Sequence, residues 1–385
     1  MNRRIKNGII FVVVVTLLVG VFSVYLNWKH HQSYSQHQLP KISGNAQSKE
    51  KANYYTVMKD NAVDPKIDAY LKGKGFNGTI TIFHKGQLIM DKAYGYQNFE
   101  ENKKNTPNSM YLIGSSQKFT TGLLLKQLES EGKININDRL DKYLPWFKTE
   151  QPLYLKDLML HRSGLKKFTG SNTAHSNEDV AKELQRAGIQ PGKYHKHQYN
   201  DGNYIILSDV IQKVTHKSFD QYFDEKLKNP NQLYRTAFYN ETQYQPFMAQ
   251  GYNAEKQPMT LKFMDHYYGA GNLFMSTRDM AKLIANLQEN KILSPKDTEG
   301  LLYELHTPTY NEPYRYGFYS YDNGSRVNGM FFGHQMTSYF NKDYIVVMGT
   351  NYQYPKYVNE HYMKDIFVKQ LHQPDPTKKK QSHLI

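Results

Sequence analysis

Apolar and polar residues alternate near both ends of the chain's long middle region, which predicts strands there. Thr79–Phe83 and Leu88–Met90 flank Lys85-Gly86 in the pattern of a β-hairpin, and we expect the second strand to continue through residues 93–96. Further strand-like stretches follow near the C-terminus, at residues 316–321, 331–332, 338–340 and 344–349.

Between these strands, apolar residues recur at helical spacing. One helix is expected to begin after Ser115, with an apolar face that includes Leu124 and Leu128, and to end at Gly132. Other helices are predicted at residues 64–71, 153–165, 177–187, 203–228, 277–290 and 359–371.

Early strands, a helical middle and late strands indicate an α/β protein built as an α+β sandwich. We expect an antiparallel sheet assembled from both chain ends and flanked by helices. A mostly helical subdomain is expected between the two groups of strands.

The N-terminus indicates a membrane segment. Basic residues at positions 3, 4 and 6 precede the uncharged stretch Gly8–Leu26, which is nearly long enough to cross a hydrocarbon core. The basic flank is expected to stay in the cytoplasm, so the residues after the apolar stretch are expected outside the cell. A cleaved signal peptide is the alternative, but Ser23-Val24-Tyr25 does not fit a small-x-small cleavage site. The expected organisation is an anchor at 1–28, a linker at 29–55, a folded domain at 56–371 and a basic tail at 372–385.

The amino-acid composition of the chain limits the classes of binding partner that are expected. The net charge of the chain is +14, which suits a polyanionic surface polymer or an anionic lipid as partner, although an ordinary solvated basic surface explains it equally well. No nucleic-acid-binding motif is present, so nucleic acid is not an expected partner. With no cysteine in the chain, disulfides and thiol nucleophiles are excluded. The histidines show no metal-ligand spacing, and we expect neither a metal nor a cofactor.

The most informative motif is Ser115-Ser116-Gln117-Lys118. Residues three apart share a helix face, so Lys118 can take the proton of the Ser115 hydroxyl if its pKa is lowered. The Ser-x-x-Lys pattern occurs three more times, starting at serines 48, 130 and 163, but none of these opens a clean helical pattern. The alternative role for Ser115 is a helix N-cap.

A serine nucleophile needs further polar groups and an oxyanion hole. Tyr199 and Asp201 are expected on a loop before a helix, where residues two apart point the same way. An N-cap role for Asp201 is the alternative. Asn328-Gly329-Met330 is expected at a strand edge, where the Met330 amide can act together with the Ser115 amide to hold an oxyanion. The alternative is that Asn328-Gly329 is a plain hairpin turn.

In this order, the three elements resemble the serine beta-lactamase and penicillin-binding-protein superfamily, in its class C-like branch. Its patterns are Ser-x-x-Lys, Tyr-x-Asn and Lys/His-x-Gly. Residues 158–165 are similar to its LLxHxSGL segment, and residues 269–279 to its AGGL and STxxD segments. The resemblance spans about Phe76 to Asn351 and implies a beta-lactamase/transpeptidase-like serine hydrolase domain.

A narrower resemblance is to the teichoic acid D-alanyl esterases of staphylococci, which are membrane-associated and linked to methicillin resistance. It is carried by residues 76–78, 113–115, 117–119, 142–147 and 199–204. It implies removal of D-alanine esters from wall and lipoteichoic acids, with beta-lactams as weak acylating ligands. By that resemblance, Ser115 is the nucleophile, Lys118 the general base and Asp201 the third polar group.

Two departures from the superfamily pattern bear on the substrate. Asp201 stands where Asn is usual, and Val327 stands where Lys or His is usual. Penicillins and D-alanyl-D-alanine peptides present a carboxylate, which the Lys or His usual at the position of Val327 normally holds. A D-alanyl ester presents an ammonium instead, which Asp201 can pair with. The rival alignment through Gly333-His334 is rejected because it puts Met336 in the place of the glycine.

Two other functions remain open at this point. One is a D,D-carboxypeptidase or beta-lactamase activity on the same scaffold. The other is an inactive domain that only holds wall polymer at the membrane. The presence of Ser115, Lys118 and Tyr199 argues against the inactive alternative.

Overall fold

A seven-stranded antiparallel sheet, with strands from both ends of the sequence, forms the centre of the computed structural model, which describes residues 62–377. The described residues belong to one compact unit. The predicted anchor at 1–28 and linker at 29–55 lie outside the described residues. Within residues 62–377, no helix combines the length and apolar character that a membrane span requires.

Twelve strands and nine α-helices are assigned in the described residues. The strands are β1 (Gly78–His84), β2 (Gln87–Tyr94), β3 (Tyr96–Asn98), β4 (Lys103–Lys104), β5 (Tyr111–Leu112), β6 (Thr236–Phe238), β7 (Leu273–Met275), β8 (Tyr314–Arg315), β9 (Phe318–Tyr321), β10 (Gly324–Phe331), β11 (His334–Phe340) and β12 (Tyr344–Thr350). The helices are α1 (Pro65–Gly73), α2 (Gln117–Ser130), α3 (Leu155–Met159), α4 (Asn177–Ala187), α5 (Asp201–Thr215), α6 (Phe219–Phe223), α7 (Thr277–Gln288), α8 (Pro295–Tyr303) and α9 (Val358–Lys364).

The order of the central sheet is β2-β1-β12-β11-β10-β9-β8. Strand β1 pairs with β12 so that Thr79 lies opposite Gly349, and this pairing joins the N-terminal hairpin to the C-terminal strands. All neighbouring strands are antiparallel. The structure therefore confirms the predicted antiparallel sheet built from both chain ends.

Each face of the sheet has its own hydrophobic core. On one face, Ile67 of α1 and Phe367 after α9 pack on Ile80, Val346 and other strand residues. The other face carries the larger core, which includes Val327 and the apolar face of α2 and continues into the helical region. Helices α3 to α6 lie in that region, between the early and late strands, as the predicted helical subdomain requires.

Several predicted helices have different bounds. The helix expected at 153–165 is only α3, because His161 has a left-handed backbone (φ +55°) that a helix does not continue through. The helix expected at 203–228 begins at Asp201 and ends at Thr215, where His216 is also left-handed (φ +55°). Helix α6 and a π-helical turn, Asp224–Lys228, follow it.

Three local strand and helix predictions also need correction. Strand β2 stops at Tyr94, because Gly95 (φ +64°) turns the chain against Asn77. Strand β9 begins at Phe318 rather than residue 316. Helix α8 was not predicted, although Ser294 caps it and Pro295 occupies its first turn.

Candidate active site

Ser115 lies in a single 3₁₀ turn, Gly114–Ser116, that joins β5 to α2. The N-cap position of α2 is occupied by Ser116, so Ser115 does not have the N-cap role. The Ser116 hydroxyl donates to the Met336 carbonyl oxygen (3.1 Å), which fixes the turn to β11. The Ser115 side chain is thereby left to face the loop that carries Tyr199.

Lys118 lies one helical turn after Ser115 and is almost fully buried (1% exposed). Its ammonium donates to three oxygens: Ser115 Oγ (3.1 Å), Asp201 Oδ1 (2.6 Å) and the Ala270 carbonyl (3.1 Å). Burial lowers the pKa of Lys118, but the charge of Asp201 and the contact with Tyr199 outweigh burial, so the pKa is raised overall. Lys118 is therefore charged at rest and needs a trigger before it accepts a proton.

Tyr199 and Asp201 face the same cleft, as their i, i+2 spacing predicted. The Tyr199 hydroxyl donates to Ser115 Oγ (2.7 Å), while Asp201 pairs with Lys118. Asn200, not Asp201, caps α5, because its side-chain oxygen accepts from the Gly202 amide (3.1 Å). The N-cap alternative for Asp201 is therefore wrong, and its carboxylate, 36% exposed, is available to a substrate.

Asn328-Gly329 is not a hairpin turn but lies inside strand β10. A Cβ atom on Gly329 would lie 2.1 Å from the Ile113 carbonyl oxygen and 2.7 Å from the Ser115 amide nitrogen, so only glycine allows this approach. Phe331 and His334 close the β10–β11 hairpin, and ladder alternation then directs the Met330 amide away from β11. The Ser115 and Met330 amides thus lie at the meeting point of turn and strand, where an oxyanion hole is expected.

Asn328, Val327 and His334 contact neighbouring strands or the core and do not serve the catalytic serine. The Asn328 side chain accepts from Thr337 Oγ1 (2.6 Å) and Gln335 Nε2 (3.2 Å), so it is engaged with β11 rather than with Ser115. Val327 is buried in the larger core and supplies no charge. His334 is buried against Tyr111, and burial lowers its pKa to about 3, so it supplies no cation either.

A buried hydrogen-bond network holds the Tyr199–Asp201 loop. His161 Nδ1 accepts from the Asn200 amide (3.3 Å) and from Asn203 Nδ2 (3.0 Å), and its Nε2 therefore carries the proton and donates to the Tyr314 hydroxyl (3.0 Å). Burial and the charge of Lys118 keep the pKa of His161 well below its usual range. The Ser163 hydroxyl donates to Asn203 Oδ1 (2.6 Å) and completes the network.

A second set of contacts fixes Ala270, the third acceptor of Lys118. The Gln117 and Asn272 side chains bond to each other (3.1 Å), and Gln117 Oε1 also accepts from the Asn272 amide (2.6 Å). The Thr121 hydroxyl donates to the Gly269 carbonyl oxygen (2.8 Å). Helix α2 thereby carries Lys118 and also holds in place the 269–272 segment that supplies the third acceptor of Lys118.

Sequence reasoning assigned no role to His161, Ser163, Asn203, Gln117 or Asn272. A signal existed for the first two, since they belong to the LLxHxSGL-like segment, and for Asn272, which lies in the AGGL-like segment. Their partners are about forty residues or more away in the chain, which periodicity cannot indicate.

Comparisons with known proteins agree with this geometry. The family described as "Beta-lactamase" matches residues 63–368. The "Teichoic acid D-alanine hydrolase" of Staphylococcus aureus is 45% identical over 363 residues, covering 91% of this chain and 91% of that protein. The crystal structure of FmtA from Staphylococcus aureus superposes with a TM-score of 0.81 at 46% identity, covering 89% of this chain and 99% of that one. The octameric penicillin-binding protein homologue from Pyrococcus abyssi shares the fold, with a TM-score of 0.68 at 21% identity over 82% of this chain and 78% of that one.

Proposed function

The chain belongs to the beta-lactamase family, and from that premise we propose that it is a serine hydrolase that removes D-alanyl esters from teichoic acid. The observation that carries the proposal is the contact between Lys118 Nζ and Asp201 Oδ1 (2.6 Å), directly beside the Ser115 hydroxyl. A carboxylate at the centre of the cleft favours a substrate whose acyl group bears a positive charge, and D-alanine linked as an ester is such a group.

The substrate supplies the trigger that Lys118 needs. When the D-alanyl ammonium pairs with the exposed part of the Asp201 carboxylate, a second positive charge comes close to Lys118 and lowers its pKa. Lys118 then releases a proton to solvent and becomes the base for the Ser115 hydroxyl.

The reaction then proceeds through an acyl-enzyme. Ser115 Oγ bonds to the ester carbonyl carbon as its proton passes to Lys118, and the Ser115 and Met330 amides hold the oxyanion. The bond to the polyol oxygen breaks, and that oxygen takes a proton from Lys118 or through Tyr199. Water next attacks the D-alanyl carbonyl, Lys118 carries the water proton to Ser115 Oγ, and D-alanine leaves.

The same features disfavour the related activities. A penicillin or a D-alanyl-D-alanine peptide carries a carboxylate, which Asp201 repels and which Val327 cannot hold. We therefore propose that beta-lactams are weak acylating ligands and that neither beta-lactamase nor D,D-carboxypeptidase is the main activity. An inactive polymer-binding domain does not account for a serine held by both a lysine and a tyrosine.

The proposed location is the outer face of the cell membrane, with residues 8–26 as the anchor. This location rests on the apolar stretch and its basic flank, and it puts the domain beside both wall and lipid-linked teichoic acids. A role in resistance to cell-wall antibiotics is a further part of the proposal, carried by the resemblance alone.

A comparison of three substrates tests the proposal. Purified protein is mixed in turn with D-alanylated teichoic acid, a D-alanyl-D-alanine peptide and nitrocefin, and free D-alanine or ring opening is measured. The proposal expects D-alanine release from the teichoic acid with the largest kcat/KM. A larger kcat/KM for the peptide or for nitrocefin would assign the chain to one of the other activities.

A further inference from the structure

Two loops form the rim of the cleft beside Asp201. The first, residues 166–176, follows the segment that holds Asn200, whose side-chain nitrogen donates to the carbonyls of Leu165 (3.0 Å) and Lys166 (3.1 Å). The second, residues 261–268, immediately precedes the segment that binds Lys118. The His266 ring joins the loops by donating to the Ala174 carbonyl oxygen (2.6 Å). The rim is therefore tied to the catalytic residues on both sides.

A continuous run of rings follows this rim, and we call it the aromatic rim: Phe331, Tyr267, Phe168, His266 and Phe263. The His266 ring is buried, and the other four are at least partly exposed. Successive ring centroids lie 5.0, 5.7, 5.9 and 5.4 Å apart. The Tyr267 carbonyl oxygen accepts from the Ala270 and Gly271 amides (2.9 Å each), which ties this residue to the segment that binds Lys118. The aromatic rim thus runs from the oxyanion strand, past the segment that binds Lys118, and out to the surface at Phe263.

Phe263 ends the aromatic rim in an unfavourable conformation. Its backbone is left-handed (φ +58°), which is a strained state for a bulky side chain, and its ring remains 37% exposed. The ring packs over Gly170, where a Cβ atom would come within 3.0 Å of it. Strain that exposes an apolar ring beside a catalytic cleft points to a role in binding.

Three lysines accompany the aromatic rim: Lys166 and Lys167 on the first loop and Lys262 on the second. All three are exposed, and within residues 62–377 their ammonium groups have no ion-pair or hydrogen-bond partner. Loop 166–176 contains no acidic residue. Of the acidic groups nearby, Glu183 is engaged by Ser171 and Thr173, and Asp265 lies 3.5 Å from the His266 ring.

We propose that the three lysines and the aromatic rim form a subsite for the polyol-phosphate backbone of the acceptor polymer. This inference rests on the proposed function and names the part of the substrate outside the reacting ester. The phosphodiester of such a polymer lies a few bonds from the esterified carbon. Asp201 attracts the D-alanyl ammonium and repels the phosphate, so the phosphate is directed outward to the lysines, while the polyol C–H groups contact the exposed rings of the aromatic rim.

The test uses two substrates to separate recognition of the polymer backbone from hydrolysis of the ester. The variant Lys166→Gln/Lys167→Gln and the single variant Lys262→Gln are assayed on D-alanylated lipoteichoic acid and on D-alanine methyl ester. The matched control is Lys85→Gln/Lys342→Gln, which removes two exposed charges from turns at the opposite end of the central sheet.

The expected result is selective for the polymer. At low ionic strength the rim double variant loses roughly tenfold in kcat/KM on lipoteichoic acid, mostly through KM, and added salt removes the difference. Its kcat/KM on the methyl ester, and both values for the control variant, stay within about twofold of the parent protein. A parallel loss on both substrates, or no loss on the polymer, overturns the subsite.

A binding measurement judges the subsite independently of the proposed activity. The parent protein is titrated with alkali-treated lipoteichoic acid, which has lost its D-alanine and its acyl chains, and with phosphatidylglycerol vesicles. The subsite predicts polymer binding that the rim double variant weakens and the control retains. If the parent protein releases no D-alanine but this binding result holds, the proposed function fails and the subsite stands. If the rim double variant loses binding to the vesicles but not to the polymer, the lysines serve membrane binding and the subsite is overturned.

Discussion

Lys118 is the residue on which the proposed chemistry depends. It is buried, it contacts Ser115, Asp201 and the Ala270 carbonyl, and its pKa is raised because the carboxylate outweighs burial. A base with a raised pKa is mostly protonated at neutral pH, so the acyl-transfer rate depends on what lowers that pKa. Asp201 therefore has two effects: it attracts the substrate ammonium, and it restrains the base until that ammonium arrives.

Replacement Asp201→Asn separates these two effects. With an uncharged ester such as an acetyl ester, the rise of kcat/KM with pH follows deprotonation of Lys118, and removal of the carboxylate should shift that rise to lower pH. With a D-alanyl ester, the variant loses its charged partner, and kcat/KM should fall roughly tenfold to a hundredfold, as for loss of a hydrogen bond to a charged group. An unchanged pH profile on the acetyl ester would contradict the assigned pKa shift.

His161 acts on Tyr199 and Asp201 through the backbone of Asn200, so we call it a positioning residue. Replacement His161→Leu leaves the Asn200 amide and the Asn203 side chain without their acceptor, at a cost of about 1–3 kcal/mol in unfolding free energy. Asparagine tolerates a left-handed backbone and offers an oxygen near the position of Nδ1. His161→Asn should therefore recover a large part of the kcat/KM and of the thermal stability that His161→Leu loses. Equal activity in the two variants would argue against positioning by this ring.

At the scale of elements, the site is the meeting of a 3₁₀ turn, a strand and a loop. Strand β10 approaches the serine turn so closely that glycine is required on both sides: a Cβ atom on Gly114 would lie 2.9 Å from the Met330 carbonyl, and one on Gly329 would lie 2.1 Å from the Ile113 carbonyl. This approach brings two backbone amides to one point. The oxyanion hole is thus a property of how the elements pack rather than of any single side chain.

Replacement Gly329→Ala should push β10 away from the serine turn and open the oxyanion hole. We expect a loss of about a hundredfold or more in the rate at which a fluorophosphonate labels Ser115, comparable to the loss of an oxyanion donor. The control is Gly73→Ala at the end of α1, where a Cβ atom meets nothing within 4 Å. That variant should keep the parent labelling rate and change stability by less than about 1 kcal/mol. Parent-like labelling by Gly329→Ala would rule out the proposed hole.

Much of this arrangement was predictable from local patterns. The hairpin at Lys85-Gly86 and the helix after Ser115 have strong local signals, and the order of the motifs predicts that Ser115, Tyr199 and Asp201 meet in one site. The helix breaks at His161 and His216 were missed because a left-handed non-glycine residue gives no periodicity signal. The side-chain direction of Asn328 was also not predictable, since it depends on the β10–β11 register and on Thr337 across the ladder.

At the scale of the whole molecule, strands from the two ends of residues 62–377 meet in one sheet, and the helical region between them supplies one wall of the cleft. Lys118 and His161 are both almost completely buried, so this architecture excludes water from the base of the site. The fold also buries His334 against Tyr111 and Phe274. Burial of neutral histidines makes stability depend on pH.

His334 provides a measurable case. Its pKa of about 3 lies below the usual 6.5, so its contribution is fully present above pH 6.5 and is lost as pH falls toward 3. Asp209 and Asp224, whose pKa values burial raises to about 6, act in the opposite direction, so the comparison must be between variants. Relative to His334→Gln, the parent protein should lose about 1.4 kcal/mol of unfolding free energy per pH unit below pH 6.5, measured by urea denaturation. A difference that does not change with pH would contradict the buried neutral state.

The most direct test of the central claim is to trap the acyl-enzyme. The parent protein and Ser115→Ala are mixed with a D-alanyl ester, quenched within the first turnovers, digested and examined by mass spectrometry, while free D-alanine is followed in parallel. We expect a D-alanyl adduct on the peptide that contains Ser115 in the parent protein, and neither adduct nor D-alanine release in Ser115→Ala. Release of D-alanine by Ser115→Ala at the parent rate, or an adduct on another residue, would contradict the central claim.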